Sequence, residues 1–270
     1  VFYLLLIEKR LKTTKMSNRF FLIIPEKAEA GSIETLPETK GLEIISVNKL
    51  VQSNYSFSPN DIVCITSEAS LDIVKERLED DSKKGAIDIL KDKRRFRKIL
   101  TNLYPDYQYS TVEFEQIEGL KVGKKSILKP LKGCFGTAVK VVDENTDLKA
   151  TAIEIRQELQ KNASVLSESV LSKNDFILED FIEGEEYAVD MFYDEHGEPH
   201  ITSIYHHPMP ANEAYLHMIY YTSKEVFQKI YAKAIQFFKD LNSILEVRNF
   251  PMHSEFRFNN DRLIPIEINC

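Results

Sequence analysis

The sequence predicts an α/β protein: a small N-terminal α/β domain with a parallel sheet, followed by further strands and helices in one or two more subdomains. Three observations carry this. Short apolar runs alternate with a helical pattern through the first part of the chain, the mark of a parallel sheet. Strands and helices continue beyond residue 91, and the chain closes on two strands that read as a hairpin. A length of 270 residues leaves room for two or three subdomains.

In order, Phe20 to Ile24, Leu42 to Val47 and Asp61 to Thr66 are apolar runs bounded by polar or turn residues and read as buried strands. Ser67 to Glu79 reads as a helix, with Leu71, Val74 and Leu78 at helical spacing. No glycine-rich phosphate loop follows the first strand, so this domain is assigned no dinucleotide. Lys91 to Leu103 reads as a basic helix with Phe96, Ile99 and Leu103 on one face, ended by Tyr104-Pro105. Strands are expected at Tyr109 to Phe114, Lys125 to Lys129 and Thr137 to Val142, and a helix at Thr146 to Gln160. Phe176 to Ile182 and Glu186 to Tyr193 are strands joined at Glu183-Gly184-Glu185, and Ile201 to Tyr205 pairs with the second of them. A helix from Lys224 to Leu241 precedes the hairpin of Met252 to Phe258 and Leu263 to Asn269.

Composition narrows the function classes. A net charge of -7 argues against nucleic acid as the main partner. The apolar start, Val1 to Ile7, is too short to span a bilayer and lacks a preceding basic segment, so neither a membrane nor a secretory signal is expected. Met16 looks like a more natural start. The cysteines, Cys64, Cys134 and Cys270, are odd in number and lack metal-ligand spacing, which suits a reducing, cytoplasmic setting.

The sharpest local chemistry lies in the terminal hairpin. Glu267 and Asn269 are two apart in a strand and share a face. If the turn near Asn260 pairs Glu255 with Glu267, their Cβ atoms sit about 5 Å apart. Like charges that close repel or share a proton, and a divalent cation removes the conflict. An even-length loop, however, would put the acids on opposite faces and leave a solvated edge. Both readings stand on the hairpin alone. Lys129 ends an apolar strand before Pro130, and Gly133 and Gly136 follow, where backbone N–H groups could approach phosphate oxygens. Lys93 would add a second positive charge. In Leu178-Glu179-Asp180-Phe181-Ile182 an apolar strand edge could read adenine, and Glu186 could accept from a ribose hydroxyl; a surface acidic turn is the alternative. His200, His206, His207 and His217 fit no closed metal pattern and are read as a loop at the substrate end of a cleft. Tyr215, Tyr220 and Tyr221 read as packing groups, and nothing near Cys134 marks it as a nucleophile.

Taken in order, Lys91-Asp92-Lys93 with Arg97-Lys98, Leu128-Lys129-Pro130 with Gly133 to Val142, Leu178 to Tyr187, His253 to Arg257 and Ile266 to Asn269 resemble the ATP-grasp superfamily, in particular its carboxylate–amine ligases. The resemblance covers Lys91 to Cys270. It implies an ATP-grasp fold that binds Mg-ATP between two lobes, with a Rossmann-like pre-ATP-grasp domain over 16–90, a small lobe over 91–182 and a larger lobe over 183–270. Lys93 and Lys129 would hold phosphates, and Lys132 to Thr137, with Gly133, Gly136 and Thr137, would cover them. Glu179, Asp180, Phe181 and Ile182 would line adenine, Glu186 would hold ribose, and Glu255, Glu267 and Asn269 would ligate Mg2+. Arg257 and Lys129 would act in catalysis. The implied partners are small-molecule carboxylate and amine substrates, with a homodimer allowed. The implied chemistry is an acylphosphate formed on the carboxylate and displaced by the amine.

The cover loop, Gly133-Cys134-Phe135-Gly136-Thr137-Ala138, departs from relatives that carry a serine and a later glycine. Relatives also continue past the Glu-x-Asn strand with a proline and an arginine, so a truncated C-terminal part is expected. Two alternatives remain beside the ligase: a nucleotide-binding module without turnover, and a kinase- or carboxylase-like variant.

Overall fold

A computed structural model of the chain describes residues 19–25, 41–133, 136–162, 170–208 and 219–270. Met16, Cys134, Phe135, Tyr215 and His217 lie outside them. In chain order the elements are β1 (Phe20–Ile24), β2 (Glu43–Ser46), α1 (Val47–Gln52), β3 (Ile62–Ile65), α2 (Leu71–Arg77), α3 (Asp81–Lys91), α4 (Lys93–Leu100), β4 (Tyr109–Glu113), β5 (Ser126–Pro130), β6 (Lys140–Val142), α5 (Leu148–Asn162), β7 (Asp175–Asp180), β8 (Glu185–Tyr193), β9 (Pro199–His207), α6 (Lys224–Leu245), β10 (Phe250–Asn259) and β11 (Arg262–Asn269). Val1–Ile87 and Glu183–Cys270 form one compact unit, and Asp88–Ile182 forms a second.

The first unit holds two sheets. Strands β2-β1-β3 are parallel, as the strand–helix alternation predicts, and bury Phe20, Leu22, Ile24, Ile62 and Cys64 with Phe192. Strands β11-β10-β8-β9 are antiparallel throughout. One face of this sheet is apolar and packs on α6. Phe237 and Phe238 meet Phe256 edge-on, and the Tyr193 hydroxyl donates to the Phe238 carbonyl at 2.7 Å. Helix α6 starts at Ser223, whose hydroxyl accepts from the Val226 N–H, and buries Ile230, Ala234, Phe237, Phe238, Leu241 and Leu245 at helical spacing. It runs one turn past the expected end.

The second unit is the antiparallel sheet β4-β7-β5-β6 packed on α5. Its core joins Val112, Phe114, Leu128 and Phe176 to Ala152, Ile155 and Leu159.

Several elements differ from expectation. The predicted helix at Ser67 to Glu79 is shortened because Leu78 turns extended and bridges Phe57. The predicted basic helix splits at Asp92, whose carboxylate accepts from the Arg95 N–H and caps α4. Helix α3, unforeseen, buries Ala86, Ile87 and Leu90. Strand β6 begins only at Lys140, because Ala138 sits at φ 58 and cannot continue a strand. His206 and His207 lie within β9, not in a loop.

Strands β7 and β8 belong to different sheets, so the Gly184 segment is a crossing between sheets. Gly184 has φ 118, and a Cβ there would stand 2.3 Å from the Phe258 carbonyl oxygen. Gly184→Ala should therefore lower stability by about 1–3 kcal/mol, read as a reduced urea midpoint at unchanged slope.

Candidate functional site

The two residues of the hairpin loop, Asn260 and Asp261, have φ 48 and 63, so they form the primed turn that suits a right-twisted hairpin. The loop is even. Asn259 pairs with Arg262 and Phe256 with Pro265, a register that would set Glu255 opposite Ile266. Between Phe256 and Glu255 the register shifts by one, making Ile266 the extra residue of a bulge, and Glu255 falls opposite Glu267 and His253 opposite Asn269. The bulge thus brings the three predicted donors to one face despite the even loop.

That face is polar across the sheet. The pairing aligns Asn269, His253, Asp190 and Ser203 in one row, and Glu267, Glu255, Ala188 and Tyr205 in the next. A third row holds Arg257, Glu186 and His207. Glu186 is buried; its Oε1 meets His207 Nδ1 at 2.6 Å and its Oε2 accepts from Arg257 Nη2 at 3.0 Å. Arg257 Nη1 also donates to the Gly184 carbonyl at 3.0 Å. The Tyr220 ring stacks on His207 at 4.3 Å and the Tyr221 hydroxyl lies 2.7 Å from His206 Nδ1, yet both tyrosines, expected as packing groups, stay exposed. Burial, with Glu255 and Glu186 nearby, pushes the Tyr220 phenol up to about 12.

His253 Nδ1 lies 2.7 Å from Asp190 and its Nε2 lies 3.8 Å from Glu255. Burial alone would lower the imidazole pKa. The hydrogen bonds and charges of Asp190 and Glu255 outweigh it and push the value up to about 10. The stability gained is therefore complete below the ordinary pKa of 6.5 and drains as pH rises through about 10. In metal-free protein, an NMR titration should find His253 still charged at pH 8, and Asp190→Asn should move its midpoint back toward 6.5.

Among the described residues no group of three or more His, Cys, Asp and Glu side chains is placed to hold a metal ion unaided. The hairpin offers two carboxylates and one amide. That set fits Mg2+, which takes one or two carboxylates and completes its shell with substrate phosphates and water.

In the second unit Lys129 leaves β5 into the interior and pairs with Glu179 of β7. Arg97 of α4 grips the same carboxylate, Nε to Oε2 at 2.9 Å and Nη2 to Oε1 at 3.4 Å. All three side chains are buried. Burial opposes the Glu179 charge, yet Arg97 and Lys129 together hold it down at about 2. Burial lowers the Lys129 pKa, with Glu179 opposing and the charges of Arg97 and Lys93 adding to the fall. Lys93 is buried at the start of α4, its N–H donating to the Leu131 carbonyl at 2.9 Å. The Glu179 side chain, expected at adenine, is thus engaged with two cations.

Asp180 pairs with Lys124 at 2.6 Å, and Lys125 lies over the Phe181 ring at 3.9 Å. Ile182 is partly exposed. A Cβ at Gly133 would meet only ordinary contacts, so crowding does not demand glycine there, whereas Gly136 at φ 65 uses its freedom. Thr137 is partly buried in the turn before β6. Sequence reasoning gave Arg97, His207, Asp190 and His253 no individual roles. Only the register across the sheets and the buried ion pairs single them out.

The family model for the ATP-grasp domain matches residues 122–270, more than half of the chain. This chain belongs to the ATP-grasp family. Several solved structures share its fold. An L-amino acid ligase from Bacillus licheniformis superposes with a TM-score of 0.64 at 17% identity, covering 94% of this chain and 69% of that one. A D-alanine–D-alanine ligase from Bacillus anthracis complexed with ATP gives 0.56 at 13% identity, covering 94% and 86%. The biotin carboxylase domain of a Hydrogenobacter thermophilus 2-oxoglutarate carboxylase, with MgADP and bicarbonate, gives 0.54 at 13% identity, covering 99% and 61%. No curated protein sequence matches this ATP-grasp chain. Among its described residues no helix is long and apolar enough to cross a membrane.

Proposed function

We propose that this ATP-grasp chain is an ATP- and Mg2+-dependent ligase that activates a small-molecule carboxylate for attack by an amine, forming an amide or peptide-like bond. The observation that carries the reading is the bulged register that sets Glu255 opposite Glu267 on the polar face of the sheet. Two carboxylates forced together in a fold of this family make a cation site without needing a third protein acid. The amino-acid ligase fold neighbours support the same substrate class.

In this reading Mg-ATP supplies the phosphoryl group that activates the carboxylate. Glu255, Glu267 and Asn269 hold the metal. Lys93 and Lys129 hold phosphate oxygens, with backbone N–H groups about Gly133, Gly136 and Thr137 as further donors. Asp180, Phe181 and Ile182 take the adenine edge. Glu186 accepts from a ribose hydroxyl with the lone pairs that His207 and Arg257 leave open, and those two fix its orientation. Arg257 supplies a fixed positive charge on the reacting face. No side-chain nucleophile is required, because positioning and charge neutralisation supply most of the acceleration in phosphoryl transfer.

The test is ADP and phosphate release from ATP in the presence of amino-acid mixtures. Release stimulated by amino acids, with a new amide product by mass spectrometry, is expected. Saturable ATP binding with no ADP formed under any mixture would overturn the reading.

A further inference from the structure

Arg97 is among the most deeply buried large side chains, and its guanidinium forks onto Glu179. Glu179 Oε2 accepts from Arg97 Nε, while Oε1 is shared between Arg97 Nη2 and Lys129 Nζ. In this buried cluster two cations, Arg97 and Lys129, therefore converge on the one carboxylate of Glu179. Tyr107 adds no negative charge: Arg97 lies over its ring at 4.8 Å, and burial first, then Glu179, keeps its phenol protonated.

Two cations that share one buried carboxylate are each only part-neutralised by it. A carboxylate facing Lys129 alone would neutralise it one to one, and an arriving phosphate would have to displace the whole ion pair. With Arg97 present, the carboxylate is already satisfied by a group that keeps its proton at all accessible pH values. Lys129 is then oriented by Glu179 without being fully neutralised by it.

We infer that Arg97 is a positioning residue for polyphosphate: by sharing Glu179 it leaves Lys129 only part-neutralised and able to meet the β- and γ-phosphates of a nucleoside triphosphate as well. This rests on the reading of Lys129 as a phosphate partner. Arg97 itself touches no substrate. The selectivity it creates is for triphosphate over monophosphate, because AMP lacks the groups that the released amine would meet.

The experiment is calorimetric titration of the whole chain with Mg-ATP and, separately, with AMP. Arg97→Met should weaken ATP about ten-fold, the size of one charge-assisted hydrogen bond, with AMP unchanged. Adding Glu179→Gln to Arg97→Met removes the trap and should restore ATP affinity to within about three-fold of wild type. Loss of ATP and AMP affinity together, wild-type ATP affinity in Arg97→Met, or no recovery in a double variant shown by circular dichroism to be folded overturns the inference. Should the methionine variant fail to fold, Arg97→Lys decides. It keeps the charge but loses the fork, and should weaken ATP about three-fold while sparing AMP; equality with wild type overturns the inference. Lys129→Gln separates the two readings. If it binds ATP as wild type does, the phosphate role of Lys129 fails whatever Arg97 does. If it loses ATP while both Arg97 variants keep it, only the Arg97 inference fails.

Discussion

Replacing Glu179 by glutamine should destabilise the protein by about 3–5 kcal/mol, a large share of the 5–15 kcal/mol typical of a domain. The substitution preserves shape, so no cavity contributes. What it removes is the anion on which Arg97 and Lys129 both converge, leaving buried cations without a carboxylate. The loss should appear in urea melts followed by circular dichroism, and a change below about 1 kcal/mol would assign the cluster no structural weight. The pH dependence follows from the same geometry. Glu179 is held at about 2, below its ordinary 4.5, so its contribution is complete above pH 4.5 and is lost as pH falls through about 2. Wild type should lose stability over that acid window, and Glu179→Gln should show a shallower slope there.

Glu267→Gln should act in the opposite way. It should weaken Mg-ATP binding by about 10–100-fold while leaving the fold intact. Directly opposed carboxylates repel, so neutralising one should leave metal-free stability unchanged or slightly raised, within about 0.5 kcal/mol. Thermal melts with and without Mg-ATP separate these effects. Wild type should gain stability from Mg-ATP by mass action, and the variant should gain much less at the same concentration. A variant that melts far below wild type without ligand would give Glu267 a structural role instead. EDTA should abolish the ligand-induced gain in wild type.

The contrast between these two glutamates marks how far the residue pattern could be read. Both were legible as site candidates from their place in ordered motifs. Nothing local distinguished a carboxylate held in the interior from one at a pleated face. Glu179 sits in an apolar strand that shows which positions are inward but not which cations wait there; Arg97 is 82 residues away in sequence. The hairpin was legible from two apolar-alternating runs and a turn, but its register was not. The even loop alone would have separated Glu255 from Glu267, and a one-residue bulge, invisible in composition, reunites them. The parallel N-terminal sheet follows from strand–helix alternation because such connections leave few topologies. Helix α3 was missed because Gly85 and a run of charges mask three buried apolar residues. Strands β7 and β8 follow one another in sequence but lie in different sheets, and Gly184 lets the chain approach Phe258 closely as β8 sets beside β10.

The metal dependence of ATP affinity tests the assignment most directly. Calorimetry on wild type and on a Glu255→Gln, Glu267→Gln double variant, each with and without Mg2+, separates metal-assisted from metal-independent binding. Mg2+ should tighten ATP binding at least about ten-fold in wild type and leave the folded double variant nearly unaffected. An equal Mg2+ effect in both proteins, or no ATP binding by wild type, would contradict it.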